Sequence, residues 1–202
     1  MKYIAIIDYG MGNLRSIQKA LEFLNYRAEV TDNKNSINGA SAVILPGVGA
    51  FPRAMKEIEK RDLIETVKSQ VRSGKPFLGI CIGMQILFEE SDEFCSSEGL
   101  GIVEGKVKRF SDKLKIPHMG WNEIELIKRP DFLKDFPKQS FMYFVHSYYC
   151  EPKNKEIILT KTVYGKSFVS SICQDNLIAC QFHPEKSQKL GLEFLNNFAK
   201  LS

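Results

Sequence analysis

The chain has 202 residues, of which 44% are hydrophobic and 26% charged, and its formal net charge is +4. This size and composition favour one folded domain over residues 1–202 and argue against collagen, coiled coil and extended disorder. The basic excess is scattered, whereas nucleic-acid binding needs a clustered basic face, so we expect no nucleic-acid partner. No apolar stretch approaches the ~18 residues of a membrane span, so we also expect no membrane partner.

The first ninety residues alternate short apolar runs with helical periodicity. Continuous apolar runs predict strands at Tyr3–Ile7, Ala42–Leu45 and Pro76–Ile80. Helices are predicted around Leu14–Leu24, over Pro52–Arg72 with a break near Arg61–Asp62, and over Met84–Glu90. Strands that alternate with helices indicate an α/β fold with parallel strands and helices on both faces of the sheet.

The second half of the chain changes character and is rich in short strands. Apolar runs between polar or Gly/Pro turns predict strands at Gly105–Phe110, Asn122–Ile127, Phe141–Val145, Ile157–Thr162, Phe168–Gln174 and Leu177–Phe182. These strands are expected to be antiparallel or mixed. An amphipathic helix, Leu190–Leu201, is predicted to close the chain.

Cysteine usage indicates a reducing compartment. The five cysteines are an odd number and none are at CxxC spacing. The apolar run at the N-terminus is interrupted by Asp8 and is too short for a signal peptide, so a cytoplasmic location is expected. Cys150, Cys173 and Cys180 are predicted to be core or near-core thiols, and Cys95 to lie exposed in a polar loop.

One cysteine lies in a pattern that indicates chemistry. Gly79-Ile80-Cys81-Ile82-Gly83 has the form G-x-C-x-G between a predicted strand and a predicted helix, which is the nucleophile-elbow arrangement with sulfur in place of oxygen. The glycines leave room for a sharp turn, and the N–H groups of the following helix favour a thiolate and can bind an oxyanion. The alternative is that Cys81 is a buried structural cysteine.

A cysteine nucleophile needs a base, which is usually a histidine oriented by a third group. Of the three histidines, His183 follows the predicted strand Leu177–Phe182, and Glu185 comes two residues later. This spacing can hold a base and its orienting carboxylate on one face of a loop, although a surface histidine is the alternative. The order Cys, His, Glu differs from the order in α/β-hydrolases.

The segment Pro46-Gly47-Val48-Gly49-Ala50 directly follows the predicted strand Ala42–Leu45. Its glycines free backbone amides to approach a ligand, so it can supply a second oxyanion donor, although a plain tight turn is the alternative. No Walker loop and no zinc-type spacing of His and Cys is found in the sequence, so neither a cofactor nor a metal is expected.

Together these motifs resemble the class I (triad) glutamine amidotransferases. Within that family the chain is most similar to the glutaminase subunits of imidazole glycerol phosphate synthases, through ordered matches at Ile7–Ser16, Leu45–Phe51, Gly79–Phe88, Pro117–Asn122, Tyr143–Tyr149 and Gln181–Ser187. The matches span nearly the whole chain. The resemblance implies a three-layer, flavodoxin-like fold with a mostly parallel central sheet and an additional antiparallel or mixed β-rich portion.

The resemblance also implies roles for particular residues. Cys81 attacks the side-chain amide of glutamine, His183 acts as base and then acid, and Glu185 orients His183. Substrate binding and the oxyanion hole are assigned by resemblance to Gly47, Val48, Gly49, Ile82, Gln85, His146, Ser147 and Tyr148. A partner interface is assigned in the same way to Asn13, His118, Trp121, Asn122 and Tyr143.

The family resemblance implies that the chain acts with a partner. Glutamine is hydrolysed to glutamate and ammonia, and the ammonia is passed to a (β/α)8-barrel cyclase subunit that makes imidazole glycerol phosphate and aminoimidazole carboxamide ribotide. A paralogous glutaminase that supplies ammonia to a sugar-amidating synthase for surface polysaccharide is the alternative. A hydrolase or peptidase with an elbow cysteine and a non-catalytic binding module remain the other classes, and the late His-Pro-Glu argues against the former.

Overall fold

The computed structural model of the chain describes residues 2–94 and 96–202, so the predicted exposed position of Cys95 lies outside the described residues. The strands are β1 (Ile4–Ile7), β2 (Ala28–Thr31), β3 (Ala42–Leu45), β4 (Phe77–Ile80), β5 (Phe88–Ser91), β6 (Ser97–Glu98), β7 (Val103–Arg109), β8 (His118–Leu126), β9 (Gln139–His146), β10 (Tyr148–Pro152), β11 (Ile158–Tyr164), β12 (Lys166–Gln174) and β13 (Leu177–Cys180). The helices are α1 (Leu14–Phe23), α2 (Lys34–Gly39), α3 (Phe51–Lys60), α4 (Ile64–Arg72), α5 (Ile82–Gln85) and α6 (Gln188–Ala199). None of the helices in the described part of the chain is long and apolar enough to cross a bilayer.

The centre of the fold is a five-stranded parallel sheet in the order β2-β1-β3-β4-β13. Every residue of β1, β3, β4 and β13 is buried, as expected for parallel strands covered by helices on both faces. From β13 the sheet continues through antiparallel β12 to β10, β7, β5 and β6, while β8, β9 and β11 branch from β12. The predicted α/β fold, with a parallel centre and a mixed β-rich portion, is therefore confirmed.

Local predictions differed from the structure at several elements. The predicted helix Met84–Glu90 is wrong, because α5 ends at Gln85 and β5 begins at Phe88. Residues 80–88 are all buried, so they show no amphipathic period, and pairing of β5 with β7 decides the local structure. The strands β2, β6 and β10 and the six-residue helix α2 were not predicted. The strand β2 is only half-buried and has a mixed sequence, so it gives little periodic signal.

The turn between β4 and α5 depends on close contact between backbones. Cys81 has φ 56° and ψ −112°, a conformation that non-glycine residues rarely adopt. A Cβ atom added to Gly83 would lie 1.9 Å from the carbonyl oxygen of Leu45, and one added to Gly79 would lie 2.8 Å from the carbonyl oxygen of Gly83. The glycines therefore let the elbow pack directly against the end of β3.

Replacing Gly83 by alanine tests this contact. Because the added methyl group overlaps the Leu45 carbonyl, we expect Gly83→Ala to lower the free energy of unfolding by about 3 kcal/mol. Urea denaturation measures the change. Gly39→Ala is the matched control, since its Cβ meets only the Tyr3 hydroxyl at 3.2 Å, and it should stay within about 1 kcal/mol of the parent. Equal stability of the two variants would contradict the proposed contact.

Candidate active site

A cavity of about 260 Å³ opens beside the elbow. Nine of the residues predicted from the sequence line it: Val48, Gly49, Cys81, Ile82, Gln85, His146, Ser147, Tyr148 and His183. Glu93, Pro117 and Val145 complete the lining. The cavity therefore collects residues from the elbow, the loop after β3, the junction of β9 with β10 and the loop after β13.

The pairing of β4 with β13 brings Cys81 and His183 to the same edge of the sheet. Ile80 is aligned with Cys180, and the Cys81 N–H donates to the Cys180 carbonyl over 2.8 Å. His183 lies just beyond the end of β13, and its Nδ1 is 2.9 Å from Oε1 of Glu185. The Nε2 atom of His183 is buried and has no hydrogen-bond partner among the described residues. One ring nitrogen is thus paired with a carboxylate, and the other has no hydrogen-bond partner among the described residues.

The backbone around His183 is held from two sides. Its N–H donates to the Tyr143 carbonyl over 2.9 Å, and the Ser187 hydroxyl donates to the His183 carbonyl over 2.6 Å. A Cβ atom on Gly191 would lie only 2.0 Å from the Pro184 carbonyl oxygen, so α6 packs tightly against the turn that carries Glu185. These contacts fix the positions of the histidine and its carboxylate before any substrate binds.

Charge distinguishes Cys81 and His183 from the other buried groups. Burial alone would lower the pKa of His183, but the Cys81 thiolate and the Glu185 carboxylate raise that pKa to about 10. In contrast, burial raises the pKa of Cys150 and of Cys180 well above the usual thiol value, so both remain unreactive thiols. The protonated imidazole of His183 therefore places a positive charge beside the sulfur of Cys81.

The loop Pro46–Ala50 lies directly on the elbow. The buried Tyr9 hydroxyl donates to the Pro46 carbonyl over 2.7 Å, and burial raises the pKa of Tyr9 so that this proton stays in place. A Cβ atom on Gly47 would meet Tyr9 Oη at 2.5 Å, so Gly47 packs below the cavity while Val48 and Gly49 line it. Ile82 is the first residue of α5, and its N–H has no acceptor within the helix. Because α5 has only four residues, individual amides rather than a helix dipole are the available donors.

A buried histidine pair borders the cavity, and one carbonyl decides its protons. His146 Nδ1 lies 2.7 Å from the Tyr148 carbonyl, which can only accept, so Nδ1 carries the hydrogen and Nε2 is the acceptor. His118 Nδ1, 2.9 Å away, must therefore donate to His146 Nε2, and His118 Nε2 accepts from the Asn122 amide at 3.0 Å. Burial lowers the pKa of His118 to about 4 and that of His146 to about 3, so both rings are neutral.

The residues assigned to a partner interface occupy different environments. Trp121 is 46% exposed on β8, and its ring meets that of Tyr143 on β9 edge-on at 6.2 Å. Asn122 is half-buried beside them, and Asn13 precedes α1, where its side chain accepts from the Ser16 hydroxyl at 2.8 Å. His118 is only 3% exposed and lies beneath this face, within the polar network of the cavity.

Two residues at the cavity were missed by the sequence reasoning. Glu93 follows β5, is buried, and accepts a hydrogen bond from the Phe51 N–H at 2.7 Å. Burial raises the pKa of Glu93 by more than this hydrogen bond lowers it. Its polar surroundings in sequence offered no signal. Gln181 is wholly buried and its Nε2 lies 3.6 Å from Cys81 Sγ. It lies within the matched segment Gln181–Ser187 but was not singled out. The described residues contain no group of three or more His, Cys, Asp or Glu that could hold a metal ion.

The chain is similar to known proteins along almost its whole length. Residues 5–201 match the family described as Glutamine amidotransferase class-I, and the chain belongs to that family. It is 48% identical over 196 residues to the Imidazole glycerol phosphate synthase subunit HisH of Aquifex aeolicus, covering 96% of this chain and 95% of the relative. It is also 48% identical to the subunit of the same name from Methanocaldococcus jannaschii, covering 98% and 99%.

Solved structures show the same fold at low sequence identity. The crystal structure of a glutamine amidotransferase superposes on this chain with a TM-score of 0.75 at 20% identity, and the match covers 96% of this chain and 98% of the other. PurLQS from Thermotoga maritima gives a TM-score of 0.74 at 17% identity, covering 99% and 97%. The family predicted from the motifs is thereby confirmed, and the chain is an enzyme of the glutamine amidotransferase class.

The histidine pair generates a prediction for pH dependence. In the unfolded chain both imidazoles have a pKa near 6.5. In the folded chain the pKa is about 4 at His118 and about 3 at His146. Below pH ~6.5 the unfolded state therefore binds more protons, and these two residues make the free energy of unfolding fall as the pH decreases. Nitrogen-15 NMR of labelled histidine should show both rings as neutral Nδ1–H tautomers between pH 7 and pH 5.

His183 is the internal control in that spectrum, because its raised pKa keeps it an imidazolium at pH 7. Its own contribution has the opposite sign, since the stability it confers is complete below pH ~6.5 and is lost as the pH rises through about 10. An Nε2–H tautomer at His146, or titration of either buried ring near pH 6.5, would show that the hydrogen-bond order is wrong.

Proposed function

We propose that the chain is the glutaminase subunit of an imidazole glycerol phosphate synthase. The observation that carries this proposal is the buried arrangement of Cys81 on the elbow with His183 and Glu185, in a chain 48% identical to two HisH subunits. The catalytic residues are Cys81, His183 and Glu185. The reaction is hydrolysis of the side-chain amide of glutamine to glutamate and ammonia.

The charge state of the site supports the order of proton transfers. The Cys81 thiolate attacks the amide carbon, and the imidazolium of His183, held by Glu185 over 2.9 Å, gives its Nε2 proton to the departing ammonia. Neutral His183 then takes a proton from water, which attacks the thioester and releases glutamate. The unpartnered Nε2 atom is the only ring nitrogen of His183 open to these transfers among the described contacts.

The oxyanion that forms twice in this reaction needs donors near the sulfur. The Ile82 amide, at the start of α5, is one donor, and the amides of Gly47, Val48 and Gly49 are the candidates for the second. One such donor contributes on the order of 3 kcal/mol to the barrier. The glycines of this loop would allow it to aim an amide at the site only when the partner is loaded, which would prevent wasteful hydrolysis. Full turnover by the isolated chain would contradict such gating.

Substrate recognition requires partners for the charged end of glutamine. Glu93 is the only carboxylate among the residues that line the cavity, so we assign it to the α-ammonium group. Gln85 is buried, and its Oε1 has no partner among the described residues, which leaves it free to accept a hydrogen bond from the substrate. His146, Ser147 and Tyr148 form the opposite wall at the junction of β9 and β10.

The partner surface is assigned to the face of β8 and β9 next to the cavity. Met119, Trp121 and Phe141 are 62%, 46% and 56% exposed, which makes this face unusually apolar. Lys186 lies over the Tyr143 ring at 5.9 Å and links the face to the turn that carries Glu185. A (β/α)8-barrel cyclase subunit docked here would receive ammonia close to where it is released. The proposed contacts with the partner are Asn13, Trp121, Asn122 and Tyr143. His118 is buried beneath this face.

Removal of the nucleophile tests the reaction. Cys81→Ala should abolish glutamate release in the presence of the barrel partner while the heterodimer still forms, because the side chain is small and lies in the cavity. Cys173→Ala is the control, since this half-buried cysteine lies on β12 and does not line the cavity. Glutamate release is measured by a coupled assay, and assembly by size-exclusion chromatography. Loss of assembly in Cys81→Ala would indicate a structural cysteine.

The choice of partner is tested in the same assay. A cyclase subunit from the histidine pathway should stimulate glutamate release, whereas stimulation only by a sugar-amidating synthase would favour the paralogous function. No release with either partner would contradict a glutaminase function.

Recognition of the substrate ammonium by Glu93 gives a second prediction. Glu93→Gln keeps an oxygen to accept the Phe51 N–H but removes the charge. Because a hydrogen bond to a charged group contributes about 1.5–3 kcal/mol, we expect KM for glutamine to rise at least about tenfold with a smaller change in kcat. Glu98→Gln, on an exposed position of β6, should leave both constants unchanged. An unaltered KM in Glu93→Gln would refute the assignment.

A further inference from the structure

The side chain of Gln181 connects the nucleophile to the wall of the cavity. It is wholly buried, and its Nε2 lies 3.6 Å from Sγ of Cys81. Its Oε1 accepts from Gln85 Nε2 over 2.9 Å, and the same Gln85 nitrogen also donates to the Tyr148 carbonyl over 3.2 Å. A continuous set of hydrogen bonds therefore leads from Tyr148 to the reactive sulfur.

The orientation of both amides follows from the Tyr148 carbonyl, because this group can only accept. Gln85 must turn its NH₂ group toward it, and this NH₂ group also faces Gln181. Gln181 must then present its oxygen to Gln85, since two NH₂ groups cannot pair. The remaining NH₂ group of Gln181 is consequently the part that faces the sulfur of Cys81.

The carbonyl that sets this order is itself held in place. It accepts a second bond from Nδ1 of His146 over 2.7 Å, and His146 in turn accepts from His118. The two lone pairs of the Tyr148 oxygen are thus used by Gln85 and His146. A rotation of this peptide group would break both bonds inside a buried site, where unpaired polar groups are costly.

We propose that Gln181 is a catalytic residue that donates a hydrogen bond to the Cys81 thiolate, with its orientation set by the Tyr148 carbonyl through Gln85. The thiolate is then stabilised by a fixed neutral donor in addition to the mobile proton of His183. This donor stays in place while His183 gives its proton to ammonia, so the sulfur is still hydrogen-bonded when the thioester breaks and the thiolate leaves again. The proposal rests on the glutaminase function for its kinetic part, but not for the state of the thiol.

Other titratable groups also face Cys81 and are left unchanged in the test. His183, paired with Glu185, interacts with the sulfur, and so do Tyr9, Cys150 and Cys180. Glu93 and His146 line the same cavity. Tyr9, Cys150 and Cys180 have raised pKa values and His146 a lowered one, so these four stay neutral around pH 7.

The test replaces Gln181 by residues of similar size without a donor. Gln181→Met is unbranched and apolar, and Gln181→Glu keeps the shape but presents only oxygen. The rate at which iodoacetamide alkylates Cys81 is measured as a function of pH in the full-length chain without glutamine. Mass spectrometry identifies Cys81 as the labelled residue in the parent and in each variant. One lost hydrogen bond to a charged group should raise the alkylation midpoint by about one to two pH units in Gln181→Met, and by more in Gln181→Glu.

A matched control separates this effect from loss of a buried polar group. Gln70 on α4 is also buried, and its Nε2 donates to Asn38 over 2.7 Å far from the cavity. Gln70→Met should lower stability without moving the alkylation midpoint. With the barrel partner present, Gln181→Met should lower kcat at least about tenfold and leave KM for glutamine nearly unchanged.

The outcomes are decisive for each part of the proposal. An unchanged midpoint in folded Gln181→Met, with folding checked by circular dichroism, overturns the role of Gln181. If that variant does not fold, an unchanged midpoint in Gln181→Glu has the same meaning. A shifted midpoint in a chain whose parent releases no glutamate with any partner would retain the hydrogen bond and refute the glutaminase function instead.

Discussion

The active site depends on the parallel pairing of β4 with β13. These strands are adjacent in the sheet although about a hundred residues separate them in sequence, and their ends are aligned at Ile80 and Cys180. The bond from the Cys81 N–H to the Cys180 carbonyl holds the two chain segments together where they leave the sheet. Because the elbow follows one strand and the histidine segment follows the other, this single pairing places Cys81 and His183 at one cavity, with Glu185 paired to His183.

Close backbone packing explains why the elbow tolerates its strained conformation. The end of β3 approaches Gly83 so closely that no side chain fits between them, and the loop Pro46–Ala50 is held on the same turn by the Tyr9 hydroxyl. The positive φ of Cys81 is therefore maintained by close packing against the end of β3 and the loop that follows it. The cost of that conformation is offset by the buried sheet beneath it, and the sulfur is presented to the cavity.

One acceptor organises the polar wall opposite the elbow. The Tyr148 carbonyl orients Gln85 and His146, and through them Gln181 and His118. The two histidines are neutral and serve as fixed hydrogen-bonding groups, whereas His183, with similar burial, is charged because a thiolate and a carboxylate flank it. Identical side chains thus take opposite protonation states because their neighbours differ.

The sequence by itself determined the family, the parallel centre of the fold and the identity of the elbow cysteine, because these follow from local patterns: buried apolar runs, glycines around Cys81 and the segment that contains His183. It did not predict that Met84–Glu90 would split into a short helix and a strand, since pairing with a distant strand decides that segment. Only the tertiary structure could show Glu93 in the cavity, His118 beneath the surface and Gln181 against the sulfur. Each of these depends on contacts between residues 28 to 100 positions apart, for which the local pattern carries no signal.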